Sequence, residues 1–212
     1  MAAPILRLTR ETLADGIREL RSRDPRLGRW MDRVGKIELR RQRHQFGALC
    51  RSIIAQQLSS TAAKTIIGRF LKLFEPASKP DPITLLAIND HKLRACGLSR
   101  QKLDYLKGIA REFRDGDLSR VRLGTLSDDE AVERLTRLHG VGTWTAEMFL
   151  IFSLGRRDVF SIGDLGLRSG VQRVEGRALT NAQILRVAER WAPYRSVASL
   201  YLWKIAHWKD TK

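Results

Sequence analysis

Leu138-His139-Gly140-Val141-Gly142-Thr143-Trp144-Thr145-Ala146 is the stretch that decides the fold of this chain. Just before it, Ser127-Asp128-Asp129-Glu130 has the form of a capping box, Ser at the cap and Glu three residues on. The box opens a helix through Ala131, Val132, Leu135 and Leu138. Gly140-Val141-Gly142 breaks that helix, and Thr143 to Leu154 resumes one through Trp144, Ala146, Met148, Phe149, Ile151 and Phe152. Both glycines are expected to take unusual dihedrals and to let the backbone come close to a ligand. The helix that follows then aims its N-terminal amides and positive dipole end at an anion such as a phosphate. Val141 is expected to fill the space between the two helices. For the triplet alone, an ordinary αα-corner is the alternative.

Outward from the hairpin the pattern is helical almost throughout. Apolar residues at Leu13, Ile17 and Leu20 place one helix over Thr9 to Arg21. Arg21 to Arg51 is strongly basic and punctuated by Pro25, Gly28 and Gly35, which suits two short helices or a helix and a loop. Phe46 to Phe74 reads as two helices meeting at the polar joint Gln56-Gln57-Leu58-Ser59-Ser60, with Ser59 or Ser60 capping the second. Ile83 to Cys96 and Ser99 to Asp115 are expected as helices separated by Gly97, followed beyond the hairpin by Leu167 to Val174, Ala182 to Trp191 and Ser196 to Trp208. No strand-like alternation, internal repeat or low-complexity tract stands out, so the fold class is all-α.

The 212 residues carry 39 Lys+Arg against 23 Asp+Glu, a formal charge of +16. So large a surplus favours polyanionic partners, nucleic acid or an anionic membrane. No apolar run approaches the roughly 18 residues that span a bilayer, and the first residues lack the apolar core of a signal peptide. Two cysteines, Cys50 and Cys96, are too few for a disulfide framework or a four-thiolate centre. His44, His91, His139 and His207 lack ligand-like spacing, so no zinc or iron–sulfur cofactor is expected.

The stretch Leu138 to Phe149, continued by Asp158-Val159-Phe160 and Asp164-Leu165-Gly166, resembles the helix-hairpin-helix glycosylase superfamily. Within it, the AlkA/Mag-type alkylation-repair enzymes (3-methyladenine DNA glycosylase II) are the nearest pattern. Ile54-Ala55-Gln56-Gln57-Leu58-Ser59 upstream and Trp191-Ala192-Pro193-Tyr194-Arg195-Ser196 downstream extend the likeness over residues 46 to 208. The resemblance implies two helical lobes with an active-site cleft between them. The central lobe is expected over 45–155, ending in the hairpin at 128–154, and the second over 1–44 plus 156–212, together one catalytic unit. AlkA itself has an N-terminal β-rich domain that this short, helical chain lacks, so a compact version is expected.

The same resemblance implies the chemistry and the site. Asp164 matches the catalytic aspartate, whose carboxylate would stabilise the oxocarbenium-like charge that builds on deoxyribose as an N-glycosidic bond breaks. Its alternative role is a plain helix cap before Leu165. Asp158 is read as structural. In the related bifunctional glycosylase/lyases a lysine follows the hairpin and forms a Schiff base. Trp144 stands at that position, which implies a monofunctional hydrolase using water. Trp144, Met148 and Trp203 match the base pocket, where aromatic faces attract cationic alkylated purines such as 3-methyladenine and 7-methylguanine. Met148 replaces an aromatic residue of the pattern, and for Trp203 simple packing of a terminal helix is the alternative. Gln57 first, then Leu58, is the candidate wedge for the hole left by a flipped base, with solvated glutamines at a helix joint as the alternative. Trp30, Trp191 and Trp208 are read as structural.

His139, Gly140, Val141, Gly142 and Thr143 would bind DNA, the backbone near Gly140 holding a monovalent cation, K+ or Na+, as the one structural ion implied. Arg51 and Lys64 are candidates for further phosphate contacts. The implied partner is double-stranded DNA containing damaged bases, with no membrane partner and a monomeric enzyme. The location implied is inside the cell, in the cytoplasm and nucleoid of a bacterium or the nucleus of a eukaryote. Two competing readings are a non-catalytic DNA-binding module and a glycosylase for an oxidised or deaminated base.

Overall fold

The computed structural model describes residues 5, 7–39, 41–77 and 79–209. The described residues are all-α, with a single isolated β-bridge between Arg7 and Arg156. The α-helices in chain order are α1 (Arg10–Arg23), α2 (Pro25–Val34), α3 (Gln45–Ala55), α4 (Ser60–Lys72), α5 (Pro82–Ala87), α6 (Asp90–Ala95) and α7 (Arg100–Arg114). They continue with α8 (Asp117–Arg120), α9 (Asp128–Thr136), α10 (Thr143–Phe149), α11 (Leu165–Glu175), α12 (Asn181–Glu189) and α13 (Arg195–Ala206). Among the described residues no helix is long and apolar enough to cross a membrane. The chain divides into two compact units, residues 1–41 with 150–212, and residues 42–149.

The first unit packs α1, α2, α11, α12 and α13 around Leu20, Leu27, Met31, Leu167, Trp191 and Leu202, all 1% exposed or less. α11 and α13 lie against each other closely enough that a Cβ on Gly170 would stand 2.5 Å from the Leu202 carbonyl oxygen. Only glycine allows that approach. Buried Asp24 organises the other side. It accepts from the Arg26 and Leu27 amides at the start of α2 and from Trp191 Nε1 at 2.9 Å, so a buried carboxylate and a buried indole satisfy each other. Trp191 is therefore structural, as read from the sequence. Between α1 and α3 the basic stretch resolves as one helix, α2, and a following stretch whose described residues lie outside any helix. Gly35, at φ +70, ends α2 where a residue with a Cβ would be strained.

The second unit holds α3 to α10 around Leu49, Ile53, Ile54, Phe70, Leu106 and Leu135. Phe46 meets Phe113 edge-on, with ring centroids 5.4 Å apart. Ser59 caps α4, accepting from the Ala62 amide at 3.3 Å, which settles the choice between two serines. The expected helix over Ile83 to Cys96 is two, α5 and α6. Asn89 accepts from the His91 amide and starts a new helix where the pattern suggested continuity. Asparagine competes for backbone donors in this way whenever the chain allows a turn. The expected helix from Thr143 to Leu154 is α-helical only to Phe149 and continues as a π-helix over Leu150–Leu154. Arg41 Nη2 donates to the Ser153 and Leu154 carbonyls at 3.1 and 3.0 Å and so holds the end of that wide turn.

Candidate active site

The hairpin forms as read. Ser127 and Glu130 make the reciprocal capping box of α9, Ser127 Oγ accepting from the Glu130 amide and Glu130 Oε2 accepting from the Ser127 amide at 2.8 Å. Val141 is buried between α9 and α10, and its amide donates to the Leu138 carbonyl at 3.0 Å. His139, Gly142 and Thr143 are exposed. The two glycines do different work. Gly140 sits at φ +86, and a Cβ on it would lie 2.3 Å from the Tyr105 ring. Gly142 has no positive φ and nothing within 4 Å of where its Cβ would be. The expectation that both take unusual dihedrals is thus corrected: Gly140 is required by the fold, whereas Gly142 leaves open space. The Gly142 carbonyl accepts from the Ala146 amide at 3.0 Å, so α10 starts on it. A glycine there supplies no side-chain oxygen to the first amides of the helix.

Trp144 and Met148 are one turn apart on α10 and share a face. Trp144 is 45% exposed while Met148 is buried. The Trp144 indole lines a cavity of about 530 Å³ with Ala55, Ile67, Arg51, Gln56 and Gln57, mostly apolar in character. That volume is in the range of ligand pockets, ~300–1,000 Å³.

The joint between α3 and α4 carries more information than its composition suggested. Gln57 is exposed and is the one non-glycine residue with positive φ among the described residues, at +57°. For a residue with a Cβ that conformation costs roughly 1–2 kcal/mol. Leu58 beside it is 37% exposed. Gln56, which sequence reasoning placed in the joint without a role, donates from Nε2 to the Gly140 carbonyl at 2.8 Å. Lys102, not singled out at all, donates from Nζ to the Ile54 and Gln56 carbonyls, each at 2.7 Å. Neither residue has a sequence signature, because the partner in every case is a backbone carbonyl distant in the chain.

In the first unit, Asp164 is the N-cap of α11 and is 8% exposed. Its Oδ1 accepts from the Leu167 amide at 2.8 Å and from Trp203 Nε1 at 3.0 Å. The cap expected before Leu165 is therefore real. Trp203 in turn is stacked on Phe152, centroids 5.5 Å apart and planes 29° from parallel. A Cβ on Gly166 would lie 2.9 Å from the Trp203 ring and 3.1 Å from Asp164 Oδ1, so the Asp164-Leu165-Gly166 sequence makes room for this pair. Trp203 is half-buried and packed against the core of this unit, and its indole N–H orients the carboxylate. Phe152 was missed, although its spacing of four from Met148 was a signal. Asp158 is committed elsewhere, accepting from Arg195 Nε, Nη2 and the backbone amide at 2.8, 2.9 and 3.1 Å. That fork is the bidentate geometry of guanidinium and carboxylate, and it leaves Asp158 a structural residue.

Comparison with known proteins agrees with this architecture. Residues 50–193 match the model of the HhH-GPD superfamily base excision DNA repair protein. A relative named DNA-3-methyladenine glycosylase 1, from Schizosaccharomyces pombe, is 36% identical over 172 residues, 80% of this chain and 75% of that protein. A solved DNA-3-methyladenine glycosidase from Bacillus halodurans superposes with a TM-score of 0.80 at 35% identity, over 91% of this chain and 89% of the other. The S. pombe 3-methyladenine DNA glycosylase, solved in complex with abasic DNA, gives 0.77 at 33% identity, over 90% and 95%. Six curated relatives at 27–36% identity are spanned over 57% to 77% of their own lengths. The chain belongs to the HhH-GPD superfamily of base excision DNA repair proteins.

Proposed function

We propose that this protein is a monofunctional DNA glycosylase that removes alkylated bases, 3-methyladenine and 7-methylguanine in type, from double-stranded DNA. The observation that carries the proposal is the Asp164 carboxylate, nearly buried and oriented by two N–H donors, in a member of this superfamily. The names and DNA complex of the relatives above support the substrate class. The formal charge of +16 supports a polyanionic partner held largely through its phosphates.

In the reaction, the bond between C1′ and the base nitrogen breaks and the base leaves with the electron pair. Positive charge builds on C1′ and the ring oxygen, and the Asp164 carboxylate stabilises it. Water attacks C1′, giving up its proton to Asp164, and the products are free base and an abasic site. Trp144 has no amine, so no Schiff base forms at that position. Its exposed indole face suits an electron-poor or cationic alkylated ring; for Met148 and Trp203 base contact is proposed from the family resemblance alone. Gln57, exposed and held at positive φ, is the proposed wedge, with Leu58 beside it.

His139 to Thr143 form the proposed phosphate grip, the open space at Gly142 being where the backbone of the duplex approaches. A monovalent cation on backbone carbonyls near Gly140 belongs to the proposal; the Gln56 amide takes one lone pair of that carbonyl and leaves the other for the ion. No step passes through it. We place the enzyme with the DNA of its cell, as a monomer. Incubation with methylated genomic DNA, with chromatography of the released bases, tests the proposal. Release of 3-methyladenine supports it; release of oxidised or deaminated bases alone, or salt-sensitive binding without release, overturns it.

A further inference from the structure

The Lys102 contacts and the Gln56 contact belong to one brace. α3 ends at Ala55, and the Lys102 ammonium reaches from α7 to the Ile54 and Gln56 carbonyls at that end. A cation there meets the negative end of the α3 dipole, and two of its three donors are used. From the same residue, Gln56, the side-chain amide reaches the Gly140 carbonyl of the hairpin. One turn along α7 from Lys102, the Tyr105 ring fills the space beside Gly140, where a Cβ would stand 2.3 Å from it. Gln101 Nε2 donates to the Tyr105 hydroxyl at 2.7 Å and steadies that ring. A single face of α7 thus touches both the joint and the hairpin, and Gln57 at φ +57 directly follows the tied Gln56 and lines the same cavity as Lys102, Tyr105 and Gly140.

We propose that Lys102 is a positioning residue, which through Gln56 sets the joint in register with the hairpin and so fixes how far Gln57 projects when a base is flipped. The inference rests on the reading of Gln57 as the wedge. Its physical content is that backbone geometry at a strained residue survives only where surrounding contacts over-determine it. Cutting one tie lets Gln57 relax to negative φ and withdraw, while the hairpin keeps its grip. Burial also lowers the Lys102 pKa, consistent with an ammonium enclosed against carbonyls rather than one facing a phosphate in water.

The test separates insertion from grip. Wild type, K102M, K102R and Q56L are bound to duplexes carrying 2-aminopurine beside a tetrahydrofuran abasic analogue, and fluorescence reports opening of the neighbouring stack. Affinity for an undamaged duplex is read by anisotropy, and base release is timed on methylated DNA. K102M should lower the fluorescence signal and slow base release by about tenfold, the scale of a lost charge-assisted bond. Undamaged-duplex affinity should change less than about twofold, and K102R, a cation with parallel donors, should recover most of the signal. Should K102M not fold, Q56L cuts the same brace at its hairpin end and should show the same loss of the fluorescence signal. Wild-type fluorescence and release in the variant that folds would overturn the role of Lys102, as would a loss of undamaged-duplex affinity equal to the loss of signal. If the wild type opens the stack but releases no alkylated base, the substrate reading fails and the brace stands; if Gln57→Ala leaves the wild-type fluorescence unchanged, the wedge reading fails and the inference with it.

Discussion

Asp164→Asn separates the helix cap that Asp164 makes from the catalytic role proposed for it. Asp164 Oδ1 accepts from Leu167 N at 2.8 Å and from Trp203 Nε1 at 3.0 Å, and the amide oxygen of asparagine accepts from both in the same place. Asparagine and aspartate are comparable helix caps, whereas alanine costs about 1 kcal/mol there. D164N should therefore unfold within about 0.5 kcal/mol of wild type. D164A should lose about 1 kcal/mol for the cap, with more for the stranded Trp203 N–H, a fall of roughly 2–4 °C per kcal/mol in a chain of this size. The charge behaves differently. In the proposed reaction Asp164, only 8% exposed, meets developing positive charge through little water, and removal of one such preorganised group costs about 3–4 kcal/mol, some 10²–10³-fold in rate. Single-turnover release of 3-methyladenine, beside a thermal melt and an abasic-duplex binding isotherm, checks both halves. D164N should bind and melt like wild type and release base at least 100-fold more slowly. Release at the wild-type rate would show that Asp164 is a cap and nothing else.

Trp203→Phe keeps the stack on Phe152 but removes the N–H donated to Asp164, so release should slow by about tenfold or more with little change in Tm. At the hairpin, Gly140→Ala meets both a positive φ and the Tyr105 ring and should destabilise the protein by about 1–3 kcal/mol in denaturant titration. Gly142→Ala has open space and should stay within about 0.5 kcal/mol, yet bind duplex DNA more weakly by anisotropy; wild-type affinity would move the phosphate approach elsewhere. His44 Nδ1 caps α3 by accepting from the Gly47 amide, which only the neutral imidazole does. Burial, then Lys79 and Arg51, lower its pKa against the opposing pull of Asp81. The folded state thus binds fewer protons there than the unfolded chain, so this contribution is complete above pH 6.5 and lost as pH falls from there through the lowered value. Melting curves taken between about pH 7.5 and about pH 5 should show it, and H44N, which keeps a capping oxygen, should flatten the slope.

Much of the molecule was legible because it is written in local signals. The capping box at Ser127 and Glu130, the Gly140-Val141-Gly142 break, and the cap at Asp164 each involve residues within a turn of one another, so spacing alone exposes them. The all-α class follows from apolar periodicity sustained in nearly every segment. Local signals failed where two local structures were close in energy: Asn89 split an apparent helix, and the helix leaving the hairpin widened into a π turn at Leu150. The capping box of Thr180 and Gln183, which starts α12, is a signal of the same local kind.

By itself, then, the chain's order of residues determined an all-α protein with a glycine-broken hairpin, a tryptophan at the start of its second helix and an aspartate capping a later one. Only the tertiary structure decided what holds those parts in place. The Trp203 N–H on Asp164, the Gln56 amide on Gly140 and the Lys102 ammonium on the end of α3 are all long-range contacts, and the last two end on backbone carbonyls. Every residue has such a carbonyl, so no pattern of side chains marks the one that will be met. The same reason divides the two glycines: both read alike in the sequence, and only the Tyr105 ring packed beside one of them shows that Gly140 serves the fold while Gly142 stays open.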